Sequence, residues 1–207
     1  MKIVVEGPSA VGKSTLCQKL RDKYKSTVVD ELIIEPIQSL SPFEEATYYL
    51  NKEISRWNTC IKSAEKLILD TDPLKSMWFN WSLDYVNCLS LPELQDFFIE
   101  RVKQGDIGFA DLYIVMNASR EELTTRKNTD IFRVRDNFEW ISNANTYREK
   151  YYEYLHKIIP DHVVFIDQAD PYITFIKACK AVDSAVPLEK PFNDIFINII
   201  DWIKKDL

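Results

Sequence analysis

The stretch that decides the fold is Gly7-Pro8-Ser9-Ala10-Val11-Gly12-Lys13-Ser14, close to the start of the sequence. It is a complete G-x-x-x-x-G-K-[ST] motif, the phosphate-binding loop or P-loop. An apolar run precedes it, Lys2–Glu6, which predicts a strand, and an amphipathic run follows, Ser14–Tyr24, which predicts a helix. The chain has only 4 glycines, and two of them stand in this loop, where the backbone must wrap closely around an anion.

The loop predicts binding of ATP together with Mg²⁺. Backbone N–H groups of such a loop, and of the helix that follows it, favour negative charge. Lys13 offers its ammonium to the β and γ phosphates, and the Ser14 hydroxyl is a ligand for Mg²⁺. We therefore expect the nucleotide to contact the loop and the first helical residue after it: Gly7, Ser9, Ala10, Val11, Gly12, Lys13, Ser14 and Thr15.

Strand-like and helical runs alternate along the rest of the chain. The strand-like runs are Lys2–Glu6, Thr27–Ile34, Leu67–Thr71, Asp111–Met116 and Val163–Asp167. The helical runs include Ser14–Tyr24, Phe43–Lys66, Pro92–Gln104 and Phe138–Ile158. Near-continuously apolar strands separated by helices indicate a parallel sheet covered on both faces. The predicted fold class is α/β, a three-layer α/β/α P-loop NTPase fold with a five-stranded parallel sheet.

The pattern ends at Pro187–Pro191, and a further helical run follows, Phe192–Lys205. We expect residues 1–187 to form the P-loop domain and residues 188–207 a C-terminal helical extension packed on it. Apolar residues share one face of this extension, namely Phe192, Ile195, Phe196, Ile199, Ile200 and Ile203. The sequence leaves open whether this face packs on the same chain or forms a homodimer contact.

Composition excludes several classes of protein. The net charge is −6, without the basic excess or basic stripe typical of nucleic-acid-binding proteins, so no nucleic-acid partner is expected. No apolar run is long enough to span a bilayer, so no membrane partner is expected. The four cysteines are scattered and form no C-x-x-C pair, which is typical of reduced thiols in a cytoplasmic protein.

Two acids end the third predicted strand, Asp70 and Asp72, with Thr71 between them. Residues two apart in an extended chain face the same side, and ligands bind at the carboxyl ends of strands in open α/β sheets. Asp70 is therefore the candidate for holding Mg²⁺, and Asp72 for orienting the phosphoryl acceptor. The alternative for Asp72 is the N-cap of a helix that begins at Pro73.

The second predicted strand also ends in acids, Glu31 and Glu35. A carboxylate within hydrogen-bond reach of the attacking hydroxyl acts as a general base. Each of the two is a candidate for that role, and each is also explained as a solvated acid at a strand end. The residues themselves do not decide which of Glu31, Glu35, Asp70 and Asp72 is the base.

A basic segment lies between the fourth predicted strand and the helix at Phe138. Arg126, Arg133 and Arg135 stand in it, and the segment predicts a lid over the nucleotide. Arginines in a lid stabilise the charge of the phosphoryl group in transfer, and closure excludes water. Arg126 is assigned to the nucleotide, and Arg133 and Arg135 to catalysis. The alternative is a solvated charged loop.

Aromatic residues flank the proposed acceptor site, among them Trp57 and Trp78. Their rings would stack on a flat substrate such as a nucleobase. The alternative for each is ordinary core packing.

Together these features resemble the nucleoside and nucleotide kinase branch of P-loop proteins. Val28-Val29-Asp30-Glu31 is similar to the V-V-P-E element of deoxynucleoside kinases, and Asp136-Asn137-Phe138-Glu139 with Tyr147, Arg148 and Tyr151 is similar to the lid-to-helix stretch of thymidylate kinases. The resemblance implies a kinase with Glu31 as base and Glu35 as its fallback, Asp70 as the acid after the third strand, and Arg133 and Arg135 as lid arginines.

The chain departs from that family directly after Asp70. Family members often carry arginine at the next position, where this chain has Thr71, with Asp72 following it. Asp72 would repel a substrate phosphate, so the expected acceptor is a hydroxyl of a nucleoside-like small molecule. The Asp-Thr-Asp string is also similar to nicotinamide riboside kinases. The sequence leaves open a nucleoside monophosphate kinase, an antibiotic kinase and a non-catalytic ATP-binding module as well.

Overall fold

The computed structural model describes residues 1–33, 39–61, 66–86, 88–130, 138–167 and 170–206. Five strands lie in these ranges: β1 (Lys2–Glu6), β2 (Thr27–Val29), β3 (Leu67–Asp70), β4 (Leu112–Asn117) and β5 (Val163–Asp167). The same ranges contain the helices α1 (Lys13–Tyr24), α2 (Pro42–Ile61), α3 (Ser76–Ser82), α4 (Leu91–Gln104), α5 (Arg120–Thr129), α6 (Phe138–Ile158), α7 (Pro171–Ser184) and α8 (Phe192–Asp206). A short 3-10 helix, Pro160–His162, joins α6 to β5.

The five strands form one sheet in the order β2-β3-β1-β4-β5, and all neighbours are parallel. Val5 of β1 lies level with Asp70 of β3 on one side and with Ile114 of β4 on the other. The carboxyl ends of these central strands therefore meet at one edge of the sheet, and the P-loop leaves β1 at that edge. The predicted five-stranded parallel sheet is confirmed.

Contacts divide the chain into two compact units. Unit 1 comprises Met1–Asp30, Ala64–Asp72 and Ala110–Pro187, and unit 2 comprises Glu31–Ser63, Pro73–Phe109 and Leu188–Leu207. Unit 1 contains the whole sheet with α1, α5, α6 and α7. The expected boundary at residue 187 is the point where the chain leaves unit 1 for the last time. The division into a domain and an extension stays a prediction.

Unit 1 has helices on both faces of its sheet. Side chains alternate along a strand, so Ile3 and Val5 share one face. That face joins a buried apolar cluster with Leu16 of α1 and Ala178 of α7. On the opposite face the ring of Tyr113 in β4 lies 5.9 Å from that of Tyr152 in α6. The predicted three-layer arrangement is confirmed in this unit.

Unit 2 is helical in its described part and contains α2, α3, α4 and α8. Five apolar residues of α8 are buried, namely Ile195, Phe196, Ile199, Ile200 and Ile203, and the ring of Phe196 lies 6.2 Å from that of Phe98 in α4. Ile197 is 39% exposed. Trp202 packs edge-on against Trp81, with ring centroids 5.3 Å apart. Most of the apolar face of α8 is therefore covered by its own unit. A homodimer stays a prediction.

The second strand is shorter than predicted. It covers Thr27–Val29, whereas the sequence predicted Thr27–Ile34. Among the described strands β2 lies at the edge of the sheet and pairs with β3 alone, from Thr27 beside Leu67 to Val29 beside Leu69. An edge strand finds ladder partners only as far as its one neighbour extends, and β3 ends at Asp70. Ile34 and Glu35 lie outside the described residues.

In the described part of the chain, no helix combines the length and the hydropathy that crossing a bilayer requires.

Candidate active site

The P-loop joins the end of β1 to the first turn of α1. Gly12 is the N-cap of α1 in a left-handed conformation, with φ 104°, and as a glycine it has no side chain to cap the first N–H groups of the helix. Ala10 also has positive φ, 68°, which is unusual for a residue other than glycine. The loop backbone is thus shaped to turn its N–H groups, with those of the helix start, toward an anion.

Gly7 is required by a close approach of two strands' ends. A Cβ atom on Gly7 would lie 2.6 Å from the carbonyl oxygen of Met116 in β4. Real Cβ atoms do not come that close to a carbonyl oxygen, so another residue here would push the loop away from β4. The first glycine of the motif therefore fixes where the phosphate loop begins.

The cationic group of the motif lies over its own loop. The Lys13 ammonium donates hydrogen bonds to the carbonyl oxygens of Gly7, at 2.8 Å, and Pro8, at 3.3 Å. Ser14 follows it in the first turn of α1 and is partly exposed. The structure thus brings the predicted nucleotide-binding residues of the motif together around one concave stretch of backbone.

Arg126, the predicted nucleotide residue of the basic segment, lies in α5 and reaches the loop. Its Nη1 donates to the carbonyl oxygen of Val11 at 2.8 Å. A pocket opens beside this contact, lined in part by the predicted residues Ala10, Val11, Gly12, Thr15 and Arg126. Its remaining lining was not predicted: Leu16, Lys19, Met116, Pro171 and Thr174.

The sequence did hold a signal for part of that lining. Lys19 lies one helical turn after Thr15 and so shares its face of α1. Pro171 and Thr174 begin the helix that follows β5, at the edge of the sheet where ligands bind.

Asp70 is the last residue of β3 and is buried, at 4% exposure. It lies level with Val5, one residue before the end of the strand that leads into the P-loop. Burial raises the pKa of the nearby Cys17 thiol, and Asp70 raises it further while Lys13 lowers it. Lys13 bonds to the carbonyl oxygen of Gly7, two residues after Val5, so the predicted metal acid and the predicted phosphate cation lie in the same region of unit 1.

The turn after β3 differs from the extended chain that the sequence predicted. Thr71 has φ 76°, and a β-branched residue in the left-handed region is an outlier of the kind found at functional sites. The same-side relation of Asp70 and Asp72, which assumed an extended strand, therefore has no basis in this backbone.

Asp72 is 1% exposed and held from two sides. Its carboxylate accepts a hydrogen bond from the Tyr152 hydroxyl at 2.8 Å, and its N–H donates to Glu6 Oε2 at 3.1 Å. The alternative role as helix N-cap is wrong, because α3 begins at Ser76 and its N-cap is Lys75. A role for Asp72 toward the substrate stays a prediction.

Two buried charged residues beside Asp72 were not predicted as site residues, Glu6 and Arg148. Arg148 of α6 is 1% exposed, and its Nη2 donates to Asn117 Oδ1 at the end of β4, at 2.8 Å. Its Nε and Nη1 are buried without a hydrogen-bond partner among the described residues. Burial lowers the pKa of Arg148, and the negative charge of Glu6 opposes that shift. The signal for Glu6 was an acid ending an otherwise apolar, buried strand.

In unit 2 the predicted base lies in a group of charged side chains. Glu31 is about half exposed and accepts a hydrogen bond from the Lys75 ammonium at 2.9 Å. Glu53 and Arg56 of α2 form an ion pair that is almost fully buried. Burial raises the pKa of Glu53, while Arg56 and Lys75 lower it and Glu31 raises it. The lysine that pairs with Glu31 was not predicted.

The predicted aromatic residues are both buried in unit 2. Trp57 is 1% exposed and packs against the ring of Phe192, as its core-packing alternative expects. Trp78 is 6% exposed, and its Nε1 has no hydrogen-bond partner in the described part of the chain. A buried indole N–H usually finds an acceptor. This criterion does not separate the two tryptophans, and both stay predicted substrate residues. Glu35, Arg133 and Arg135 lie outside the described residues.

The donor set around the loop fits Mg²⁺ bound with a nucleotide. Among the described residues, no group of three or more His, Cys, Asp and Glu side chains could hold a metal ion. Mg²⁺ does not need one, since it keeps several waters and takes one or two protein oxygens plus phosphate oxygens. Ser14 and the buried Asp70 supply a hydroxyl and a carboxylate of the right kind.

No protein-family model matches the chain, and no curated protein matches it in sequence. Solved structures do match. A structure of deoxyadenosine kinase from M. mycoides with bound dATP has a TM-score of 0.61 at 17% identity, covering 88% of this chain and 99% of that one. Two further structures of that enzyme, one with the products dCMP and a flexible dCDP and one with dCTP, have TM-scores of 0.60 at 17% identity, covering 89% of this chain and 100% of those. The chain therefore has the P-loop fold of these deoxyadenosine kinase structures.

Proposed function

We propose that the chain is an ATP-dependent kinase that transfers the γ-phosphoryl group of Mg-ATP to a hydroxyl of a nucleoside-like small molecule. One observation carries the proposal: the P-loop, with Lys13 and Arg126 on it, lies at the carboxyl edge of the sheet beside the buried Asp70. The likeness to deoxyadenosine kinase structures supports the choice of a nucleoside-like acceptor.

On the donor side, the loop residues bind and orient the nucleotide. Lys13 leaves the carbonyl oxygens of Gly7 and Pro8 and turns to the β and γ phosphates, a short movement for a flexible side chain. Mg²⁺ would neutralise charge that develops on the phosphates during transfer, and Ser14 and Asp70 would hold it. Arg126 holds the nucleotide against the loop at Val11.

On the acceptor side, Glu31 takes the proton from the attacking hydroxyl. Its carboxylate accepts a hydrogen bond from the ammonium of the flexible Lys75 side chain. Trp78 is a donor to the substrate through its Nε1. Arg133 and Arg135 are assigned to the lid, where they would spread the charge of the phosphoryl group in transfer.

The test is ADP formation from Mg-ATP with a panel of acceptors. The panel holds deoxynucleosides, ribonucleosides, nicotinamide riboside, nucleoside monophosphates and aminoglycosides, and Lys13→Ala is the control variant. We expect turnover with one nucleoside, and a loss of about a hundred- to thousandfold in the control, because a group aimed at developing charge is removed.

Each remaining outcome selects a different function. Turnover only with monophosphates would make the chain a nucleotide kinase and overturn the repulsion argued for Asp72. Turnover only with nicotinamide riboside or an aminoglycoside would keep the kinase and change the acceptor. Binding of ATP without turnover of any acceptor would favour a non-catalytic ATP-binding module.

A further inference from the structure

Glu6 is a buried carboxylate at the last position of β1, directly before the P-loop. It is 2% exposed. Its two oxygens accept hydrogen bonds from two backbone N–H groups: Oε1 from Gly7 at 2.8 Å and Oε2 from Asp72 at 3.1 Å. Bonds to a charged acceptor are stronger than bonds between neutral groups, so this carboxylate joins two loops firmly.

The hydrogen bond from the Asp72 N–H to Glu6 extends the pairing of β1 with β3 beyond the last backbone hydrogen bond between these strands. Thr71 N–H still donates to the carbonyl oxygen of Val5, at 3.0 Å. The backbone of β1 then turns away at Gly7 into the P-loop. At this point the Glu6 carboxylate replaces a backbone carbonyl as acceptor. It accepts a hydrogen bond from the N–H of Asp72, the residue after the left-handed Thr71. The Asp70–Asp72 turn is thereby attached to the start of the phosphate loop.

Helix α6 contributes two residues to the same buried polar cluster, Arg148 and Tyr152. Arg148 is 1% exposed and donates to Asn117 Oδ1 at the end of β4, and the negative charge of Glu6 raises its pKa against the effect of burial. Tyr152, one helical turn further on, donates to Asp72 Oδ2 at 2.8 Å. The side chain and the N–H of Asp72 are therefore both fixed, one by α6 and one by Glu6.

We propose that Glu6 is a positioning residue that sets the Asp70–Asp72 turn against the P-loop, so that the metal-binding acid and the phosphate-binding loop act as one unit. This inference rests on the proposed kinase function. Glu6 touches neither nucleotide nor acceptor. It acts by making the position of Asp70 depend on the position of the loop.

Two substitutions of Glu6 test separately the length and the charge of its side chain. Glu6→Gln keeps the length of the side chain but has one acceptor oxygen in place of two. Glu6→Asp keeps the charge but is one methylene too short to reach both N–H groups. Glu121→Gln, at an exposed position of α5, is the matched control. Calorimetry gives the ADP affinity of each full-length variant with and without Mg²⁺, and NMR hydrogen exchange follows the amides of Gly7 and Asp72.

We expect both Glu6 variants to lose about ten- to hundredfold of the gain in ADP affinity that Mg²⁺ confers, and Mg²⁺-free ADP affinity to change by less than about twofold. Exchange at the Asp72 amide should accelerate in both variants. Equal losses with and without Mg²⁺, or lower thermal stability with the Mg²⁺ gain intact, would show a merely structural role. A near-normal Glu6→Asp would show that charge alone matters and would overturn the spanning role.

If neither Glu6 variant folds, hydrogen exchange on the wild-type chain tests the coupling instead. Mg-ADP should then slow exchange at Gly7 and Asp72 together, and slowing at Gly7 alone would refute the coupling. Failure of the proposed function looks different. If the chain does not bind the nucleotide, wild type and Lys13→Ala would both bind no Mg-ADP. If it binds Mg-ADP but turns over no acceptor, the kinase proposal fails while the coupling is still tested by exchange at Gly7 and Asp72.

Discussion

The candidate site acids of the two units differ in burial and in hydrogen bonding. In unit 1, Glu6, Asp70 and Asp72 are each no more than 4% exposed. Glu6 accepts a hydrogen bond from the Asp72 N–H, and the Asp72 carboxylate accepts one from Tyr152 of α6. In unit 2, the side chain of Glu31 is 45% exposed and bonded to the flexible Lys75. The acids proposed for the nucleotide side are thus buried within fixed backbone and helix contacts, whereas the acid proposed as the base lies closer to solvent.

The largest expected effects on turnover come from neutralising Asp70 and Glu31, one acid in each unit. Asp70→Asn should lower turnover by about a hundred- to thousandfold and weaken the gain in ADP affinity from Mg²⁺, because it removes charge beside the metal. Glu31→Gln should lower turnover by about a hundred- to ten-thousandfold and leave Mg-ADP affinity unchanged, because it removes only a base. Steady-state kinetics and calorimetry measure both.

Glu44→Gln, at an exposed position of α2, is the matched control for Glu31→Gln. If Glu31→Gln weakened Mg-ADP binding as much as Asp70→Asn does, the division of labour between the two units would be wrong.

A second prediction concerns the buried ion pair of unit 2. Arg56→Met should destabilise the protein by about 3–5 kcal/mol at pH 7, because Glu53 is left as an uncompensated buried charge. Burial already raises the pKa of Glu53, so the folded state binds its proton more tightly than the unfolded state does. Stability must then fall as pH rises through the folded pKa.

The penalty of Arg56→Met should therefore be small near pH 4 and grow toward pH 7, as urea unfolding at several pH values would show. The double variant Arg56→Met, Glu53→Gln should lack this pH dependence. A penalty of constant size across the range would mean that Arg56 contributes packing and not charge compensation.

The smallest expected effect compares two helix ends, one in each unit. Both α1 and α4 end on a left-handed residue, but α1 uses the exposed Lys25, φ 52°, where α4 uses Gly105, φ 79°. Lys25→Gly should raise the free energy of unfolding by about 0.5–1 kcal/mol, and Gly105→Ala should lower it by about 1 kcal/mol. Thermal unfolding of the two variants measures the difference, and opposite signs are required.

The sequence predicted the sheet and the phosphate loop because their determinants are local. The P-loop residues are contiguous, and each strand carries its own apolar run. The buried network after β3 was missed because its members are distant: Asp72 is 66 positions from Glu6 and 80 from Tyr152. The length of β2 was also wrong, since a run of valine and isoleucine does not tell how far the neighbouring strand extends. The pairing of Glu31 with Lys75 required knowledge of where the turn after Pro73 lies.

The packing of Phe192 in unit 2 affects the order in which the chain folds during its synthesis. A Cβ on Gly108 would collide with the Phe192 ring, which also packs against Trp57 and Phe109. The ribosome makes all of these partners before it makes Phe192. Every segment of unit 1 has likewise been translated by residue 187, so that unit can fold while unit 2 still lacks its last helix. The growing polypeptide therefore carries uncovered aromatic surface until α8 emerges, a period in which aggregation or chaperone binding competes with folding.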